Sequence, residues 1–235
     1  MGKRVFTPGL VLGSMLALVA VACGLAGCQI GIDVPAETIT PNLRAVTFGA
    51  GRFVAVGDEG VIVTSTDGAS WTAQTTGSAS NLDGVVYGAN GFVAVGSDGG
   101  ILTSTDGTSW VAVPVPTQQQ LQAVTFGGGV YVAVGWSQVI LTSTDGVTWT
   151  QVYSGLGVWQ AVAYVGGEFV VVDRAGDVAI SVDAAVSWTV TVQGNQPGGS
   201  GFCGVTAGPG GDIVALDVAG HVDVATNAGA TSFTA

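Results

Sequence analysis

The sequence predicts an all-β fold in which one unit of about 40 residues occurs five times. The first observation is a repeated phrase: Ile101–Trp110 reads ILTSTDGTSW and returns almost unchanged at Ile62–Trp71 and Ile140–Trp149. The second is composition, because 39 glycines with 48% apolar and only 9% charged residues are typical of short strands joined by tight turns. The third is the period, since successive copies begin 39, 39, 38 and 43 residues apart.

The N-terminal segment is a predicted secretory signal. Two basic residues precede the apolar run 9–22, and small residues then lead to Cys28. The ending Leu-Ala-Gly-Cys resembles the lipobox of bacterial lipoproteins, which implies cleavage after Gly27 and a lipid on the thiol of Cys28. The alternative is an uncleaved transmembrane anchor over 9–28, because about 20 apolar residues span a bilayer.

The lipobox resemblance sets the expected organisation. Residues 1–27 are the signal peptide, 28–42 the lipid anchor and a polar spacer, and 43–235 the folded domain. We therefore expect an extracytoplasmic protein of the bacterial cell envelope that touches the membrane through its lipid alone. The choice between inner and outer membrane stays open.

Each repeat contains four apolar runs separated by Gly-rich turns, which predict four strands. In the second repeat these runs are 82–87, 92–95, 101–104 and 110–113, and an Asp-Gly hairpin signal joins the last two. A repeated four-stranded meander of this length indicates a β-propeller of about five four-stranded blades. A linear solenoid is the alternative, but it requires polar caps, which the sequence does not show. The predicted repeats are 43–81, 82–120, 121–158, 159–201 and 202–235.

Closure of the ring is a separate question. An extra strand near 37–40 would close a five-bladed monomer if it pairs with the short last strand at 231–234, because that pairing protects a sheet edge. Otherwise closure requires a second chain. We expect a monomer.

The phrase Ser-Thr-Asp-Gly-x-x-Trp resembles the Asp-box, or bacterial neuraminidase repeat, of sialidases and of the photosystem II assembly factor family. The resemblance covers 43–235, although the spacing between Asp and Gly is one residue shorter than in the usual sialidase box and the fourth copy has Ala185 in place of Gly. It implies that the box is the turn before the outermost strand of each blade. The box residues are Asp67, Trp71, Asp106, Trp110, Asp145, Trp149, Asp183 and Trp188.

A metal or catalytic cluster is the alternative for four such aspartates. Because the copies occur one per blade, we expect the carboxylates far apart around the rim, each accepting hydrogen bonds within its own turn. The tryptophan that follows each carboxylate is expected to bury a large apolar area. We therefore predict a structural role for both residues.

The residue inventory argues against an enzyme. The sialidase resemblance implies three arginines that clamp a carboxylate, a Tyr nucleophile with a Glu partner, and an Asp that serves as acid and base. Only three arginines follow residue 28, and two of them, Arg44 and Arg52, flank one hairpin. His221 is the only histidine, which excludes a site with several His ligands, so we predict no metal and no cofactor. A carbohydrate-active propeller with two catalytic carboxylates remains the alternative.

Charge and loop composition suggest the kind of partner. All 16 acidic residues but only three basic ones follow residue 28, so nucleic acid is a poor partner. The first strand of successive repeats begins with variable residues that we expect around the channel mouth, and Cys203 takes this position in the last repeat. Trp136 and Arg174 lie in predicted loops on the same side. The predicted binding residues are Arg44, Asp83, Gln122, Gln160, Trp136 and Arg174.

We therefore expect a membrane-anchored, non-catalytic propeller that binds or scaffolds an envelope protein or a glycan. A solvated loop face that binds nothing is the alternative.

Overall fold

The computed structural model describes residues 42–191, 201–208 and 211–225, and its regular structure is almost entirely β. Five antiparallel sheets of three or four strands follow one another along the chain, which confirms the predicted all-β propeller. Cys28, the predicted signal peptide and spacer, and the strands expected near 37–40 and 231–234 lie outside the described residues. Within the described ranges, no helix has the length and apolar character needed to cross a membrane.

The blades have the following strands. Blade 1 has β1 (Leu43–Gly49), β2 (Arg52–Gly57), β3 (Ile62–Ser65) and β4 (Thr72–Gln74). Blade 2 has β5 (Leu82–Gly88), β6 (Gly91–Gly96), β7 (Ile101–Ser104) and β8 (Val111–Ala112). Blade 3 has β9 (Leu121–Gly127), β10 (Val130–Gly135), β11 (Ile140–Ser143) and β12 (Thr150–Tyr153). Blade 4 has β13 (Trp159–Val165), β14 (Glu168–Asp173), β15 (Val178–Ser181) and β16 (Thr189–Thr191). Blade 5 has three described strands, β17 (Phe202–Ala207), β18 (Ile213–Asp217) and β19 (Val222–Ala225).

Within each blade the strands pair in chain order, as a meander. The first strand is innermost, because β1 packs on β5, β5 on β9, β9 on β13 and β13 on β17. Short 3-10 turns at Asp58–Gly60 and Ser97–Gly99 join the second and third strands of blades 1 and 2.

Hydrophobic clusters fill the spaces between successive blades. Between blades 1 and 2, Val54 and Ile62 pack against Leu82 and Phe92. The other face of blade 2 contributes to the next cluster, for example through Val93. Since both faces of an inner blade are covered, its strands are apolar at successive positions instead of alternating.

An aromatic ladder crosses each of the first four blades. In blade 2, Tyr87 of β5 lies 4.7 Å from Phe92 of β6, and Phe92 lies 6.3 Å from Trp110, measured between ring centroids. Tilted contacts at these distances stabilise the fold beyond the area that they bury. The equivalent ladders are Phe48–Phe53–Trp71, Phe126–Tyr131–Trp149 and Tyr164–Phe169–Trp188.

Candidate functional site

The turn after each second strand and the residue before each first strand lie together on one side of the propeller, here called the upper face. In blade 1 the N–H of Asp58 donates to the carbonyl oxygen of Asn42 at 3.1 Å, and in blade 3 the N–H of Trp136 donates to that of Gln120 at 2.9 Å. The lower face carries the hairpins between first and second strands and the turns before the outermost strands. These hydrogen bonds bear out the prediction that the loops after the second strands and the starts of the first strands share one face.

The residues predicted around the channel mouth all lie at an irregularity of the first strand. In every blade the register between the first and second strands shifts at this position, so the residue has no direct cross-strand partner. A β-bulge of this kind redirects a side chain and is common next to binding sites. The bulge residues are Arg44, Asp83, Gln122, Gln160 and Cys203.

Two of the bulge residues bind each other. The guanidinium of Arg44 donates to a carboxylate oxygen of Asp83 and forms an ion pair with Asp58 at 2.6 Å. The other oxygen of Asp83 accepts a hydrogen bond from the amide nitrogen of Gln120 at 2.9 Å. This network links blades 1, 2 and 3 at the upper face. The Arg44 and Asp83 charges are thus compensated within the protein, as in a structural ion pair.

The remaining bulge residues differ in accessibility. Cys203 is buried, and its thiol lies 3.5 Å from the carbonyl oxygen of Asp217. Gln122 and Gln160 are half-buried on the neighbouring inner strands β9 and β13. Their carboxamides make no hydrogen bond to any other residue of the described ranges, so both retain donors and acceptors for a ligand.

Two exposed apolar side chains of the upper face come from two loops at the junction of blades 3 and 4. Trp136, after β10, is 49% exposed, and Leu156, in the connection from β12 to β13, is 95% exposed. The two loops are paired, because Trp136 forms an antiparallel bridge with Val158 and the N–H of Gly155 donates to the carbonyl oxygen of Ser137 at 2.8 Å. Sequence reasoning identified Trp136 but missed Leu156, whose neighbours Gly155 and Gly157 gave the only signal.

Gln138 is the buried side chain that fixes these loops. The main-chain carbonyl oxygen of Gln138 accepts the indole N–H of Trp159 at 2.9 Å, and the side-chain Nε2 atom lies 3.5 Å from a carboxylate oxygen of Asp173. A Cβ atom at Gly155 or Gly157 would meet the Gln138 side chain, which explains why both positions are glycine. The exposed apolar residues are therefore presented on a braced backbone.

Asp173 and Asp217 lie where the second strands of blades 4 and 5 end, at the turns of the upper face. They are the last residues of β14 and β18 and pair with Trp159 and Phe202, where blades 1 to 3 have glycine. Asp173 is 2% exposed and accepts the N–H groups of Ala175 and Asp177, both at 2.8 Å. Burial raises its pKa.

The second aspartate closes its turn in the same way. Asp217 accepts the main-chain N–H of His221 at 2.7 Å, and the Nδ1 atom of that ring lies 2.8 Å from its other oxygen. In blades 4 and 5 an aspartate side chain closes the turn that has 3-10 geometry in blades 1 and 2. Arg174, the predicted binding residue of the blade 4 turn, is exposed.

On the lower face, the turn before each outermost strand, here called the Ser–Asp turn, closes on itself. In blade 3 the Ser143 hydroxyl donates to Asp145 at 2.9 Å and accepts the N–H of Gly146 at 2.8 Å. The carboxylate also accepts the N–H groups of Val147 and Thr148, which lower its pKa to about 2. The Ser–Asp turns span residues 65–71, 104–110, 143–149 and 181–188.

The fourth Ser–Asp turn is one residue longer. Ala184 and Ala185 take the left-handed conformation, with φ of 58° and 66°, and so accommodate the extra residue. The indole N–H groups of Trp110 and Trp149 donate to the glycine carbonyl of their own turn at 3.0 Å. The buried indole N–H of Trp188 has no such partner among the described residues.

These turns do not form a shared site. Each carboxylate is satisfied by its own blade, and the described residues contain no group of three or more His, Cys, Asp or Glu side chains placed to hold a metal ion. The arrangement supplies rigid turns, while the accessible polar and apolar groups meet at the blade 3–4 junction of the upper face.

No family model matches the sequence, and no curated protein matches it. Solved structures do resemble the chain. YCF48 bound to D1 peptide has a TM-score of 0.66 at 15% identity, covering 83% of this chain and 66% of that one. YCF48 from Cyanidioschyzon merolae has a TM-score of 0.64 at 15% identity, covering 86% and 73%. Virginiamycin B lyase from Staphylococcus aureus has a TM-score of 0.70 at 15% identity, covering 82% and 69%.

At these identities the likeness shows the fold alone, which is that of a β-propeller. This chain spans 66% of the length of the peptide-bound YCF48 chain. The neighbours include both a peptide-binding protein and a lyase, so function has to be argued from the residues of this chain.

Proposed function

We propose that this protein is a lipid-anchored, non-catalytic propeller of the bacterial cell envelope that binds another envelope protein through its upper face. The observation that carries the proposal is the exposure of Trp136 and Leu156 on two loops that are joined by the bridge between Trp136 and Val158. Exposed aromatic and aliphatic side chains on a preorganised backbone are typical of the energetic centre of a protein–protein interface.

The polar contacts around this pair support binding in preference to catalysis. The upper-face groups with shifted or buried charge, Arg44, Asp83 and Asp173, are used by internal hydrogen bonds. The carboxylates of the lower face close their own turns. A hydrolytic site requires a pair of carboxylates facing one substrate bond, whereas the neighbouring carboxylates of Asp58 and Asp83 both contact Arg44.

The resemblance to YCF48 bound to a D1 peptide adds a weaker argument, because it shows that a propeller of this fold is compatible with peptide binding. The anchor is argued from the sequence. The lipobox around Cys28 favours attachment through a diacylglyceryl group, which leaves the propeller outside the membrane.

Site-specific photo-crosslinking in the native envelope tests the proposal. A photoreactive residue in place of Trp136 is expected to capture a discrete envelope protein. The matched control is Val147, which is also 49% exposed but lies in a Ser–Asp turn on the lower face. Capture from both positions alike, or from neither, would contradict the assignment.

Two further measurements address catalysis and anchoring. We expect the purified chain to leave fluorogenic glycosides intact, whereas turnover abolished by a single Asp substitution would favour the carbohydrate-active alternative. We also expect Cys28→Ser to abolish lipid labelling and processing; persistence of the lipid-labelled, processed form in that variant would refute the anchor.

A further inference from the structure

We propose that the blade 3–4 junction recognises an extended, basic peptide segment, with an apolar side chain held by Trp136 and Leu156 and main-chain amides held by Gln122 and Gln160. This inference rests on the proposed function and names the chemistry of the partner.

The exposed apolar loops lie beside the strands that carry the two glutamines. Trp136 donates its N–H to the carbonyl oxygen of Gln120, two residues before Gln122, and forms a bridge with Val158, two residues before Gln160. The loops that carry the exposed apolar residues are therefore attached to the starts of β9 and β13, the strands that carry the two glutamines. One ligand segment along this junction meets both kinds of group.

The two glutamines have the chemistry to hold a peptide main chain. A carboxamide offers one acceptor and a two-proton donor, which matches the carbonyl and N–H of a peptide group. Gln122 and Gln160 occupy equivalent β-bulges of neighbouring blades, and neither carboxamide bonds to another described side chain or backbone group. Paired carboxamides of this kind bind a main chain irrespective of its sequence, as β-strand recognition does.

The charge of the folded chain favours a basic ligand segment. The upper-face turns carry four exposed or half-exposed carboxylates, namely Asp58 and Glu59 in blade 1, Asp98 in blade 2 and Asp177 in blade 4, and the blade 4 turn also carries the exposed base Arg174. The Arg44 charge is compensated by Asp58 and Asp83, and the folded part of the chain is strongly acidic. A surface of this sign attracts a basic segment and repels an acidic one, and the attraction weakens with salt.

The experiment uses the purified full chain and a fluorescent synthetic peptide in which a central apolar residue is flanked by lysines in a Gly/Ser background. Matched peptides replace the lysines with glutamates, the apolar residue with serine, or the central amides with N-methyl amides. Fluorescence anisotropy is recorded at low and high salt.

We expect the lysine peptide to bind, the glutamate and serine peptides to bind at least about tenfold more weakly, and salt to weaken binding. N-methylation and the double variant Gln122→Ala/Gln160→Ala should each weaken binding about fivefold. Trp136→Ala should weaken it about tenfold or more, while Val147→Ala leaves it unchanged.

The inference is overturned if the lysine peptide does not bind, if the glutamate peptide binds equally well, or if N-methylation has no effect. Its failure is separable from that of the proposed function. If position 136 crosslinks specifically but no peptide binds, the protein binds a protein partner of different chemistry. If neither crosslinking nor peptide binding is seen, the proposed binding function is wrong as well. Binding of an oligosaccharide at Trp136 in place of the peptide also overturns the inference.

Discussion

The main-chain N–H of Gln138 donates to the carbonyl oxygen of Gly157 at 3.1 Å, and this bond joins a loop of blade 3 to the connection that leads into blade 4. Gly157 has a φ of 124°, a conformation that other residues rarely adopt, and it lies against the Gln138 side chain. The exposed loop pair is therefore held by a backbone geometry that only glycine allows without strain.

The Gly157→Ala variant tests this brace. We expect the free energy of unfolding to fall by about 1–3 kcal/mol because alanine is strained at this φ. Partner binding should weaken as well, since the Leu156 loop is displaced. Chemical denaturation checks the first effect. Gly51→Asn is the control, because that position is open and asparagine tolerates its φ of 74°; an equal loss in both variants would contradict the prediction.

Trp110 anchors the aromatic ladder of blade 2. Its side chain is buried, packs against Phe92 and donates its indole N–H to the carbonyl oxygen of Gly107 at 3.0 Å. Trp110→Ala should lower the free energy of unfolding by about 3–5 kcal/mol through lost packing. Trp136→Ala is the control and should change it by less than about 0.5 kcal/mol, because Trp136 is half exposed. An unchanged melting temperature for Trp110→Ala would refute the structural role.

The contribution of the Asp145 carboxylate to stability should depend on pH. Hydrogen bonds from the N–H groups of Thr148 and Val147 lower its pKa to about 2, below the value of about 3.9 in the unfolded chain. The stabilisation from this carboxylate is therefore complete above the unfolded pKa and is lost as pH falls through the folded one.

The matched variant is Asp145→Asn, which keeps the shape and removes the charge. We expect it to be less stable than the natural chain at neutral pH, with the difference shrinking between about pH 4 and pH 2. Denaturant titrations over this range measure it. A difference that stays constant down to pH 2 would mean that the ionised carboxylate is not the stabilising group.

The ion pair between Arg44 and Asp83 predicts a change in stability but not in binding. Arg44→Met leaves the buried Asp83 carboxylate with Gln120 as its remaining described partner. We expect a loss of about 1–2 kcal/mol, modest because Arg44 is partly solvated, and an unchanged affinity for the partner. Arg52→Met should cost less, since Arg52 forms no ion pair among the described residues. If Arg44→Met weakens binding without lowering stability, Arg44 belongs to the binding site.

The repeated pattern was sufficient to predict the architecture. The run predicted at 101–104 coincides with β7, and that predicted at 82–87 is one residue shorter than β5. Such agreement follows from physics that is local in sequence, because Gly and Asp turns end strands within each blade. The meander order also predicts that the starts of the first strands and the turns after the second strands lie on one face.

The details of the site depend on contacts between blades, which sequence spacing does not encode. Nothing in the sequence pairs Arg44 with Asp83, 39 residues away, so both were assigned to a ligand. Leu156 was missed because its exposure depends on how its loop pairs with the Trp136 loop. The turn-closing role of Asp173 is visible only in the register, where it pairs with Trp159 at the position that is glycine in blades 1 to 3.

The most direct test of the account is the dissociation constant of the envelope protein captured from position 136, measured with the purified full chain and with its Trp136→Ala and Val147→Ala variants. The account predicts that Trp136→Ala raises the constant about tenfold or more, while Val147→Ala leaves it unchanged. Equal affinity of the natural chain and Trp136→Ala for that partner would contradict the claim that the upper face at the blade 3–4 junction is the binding site.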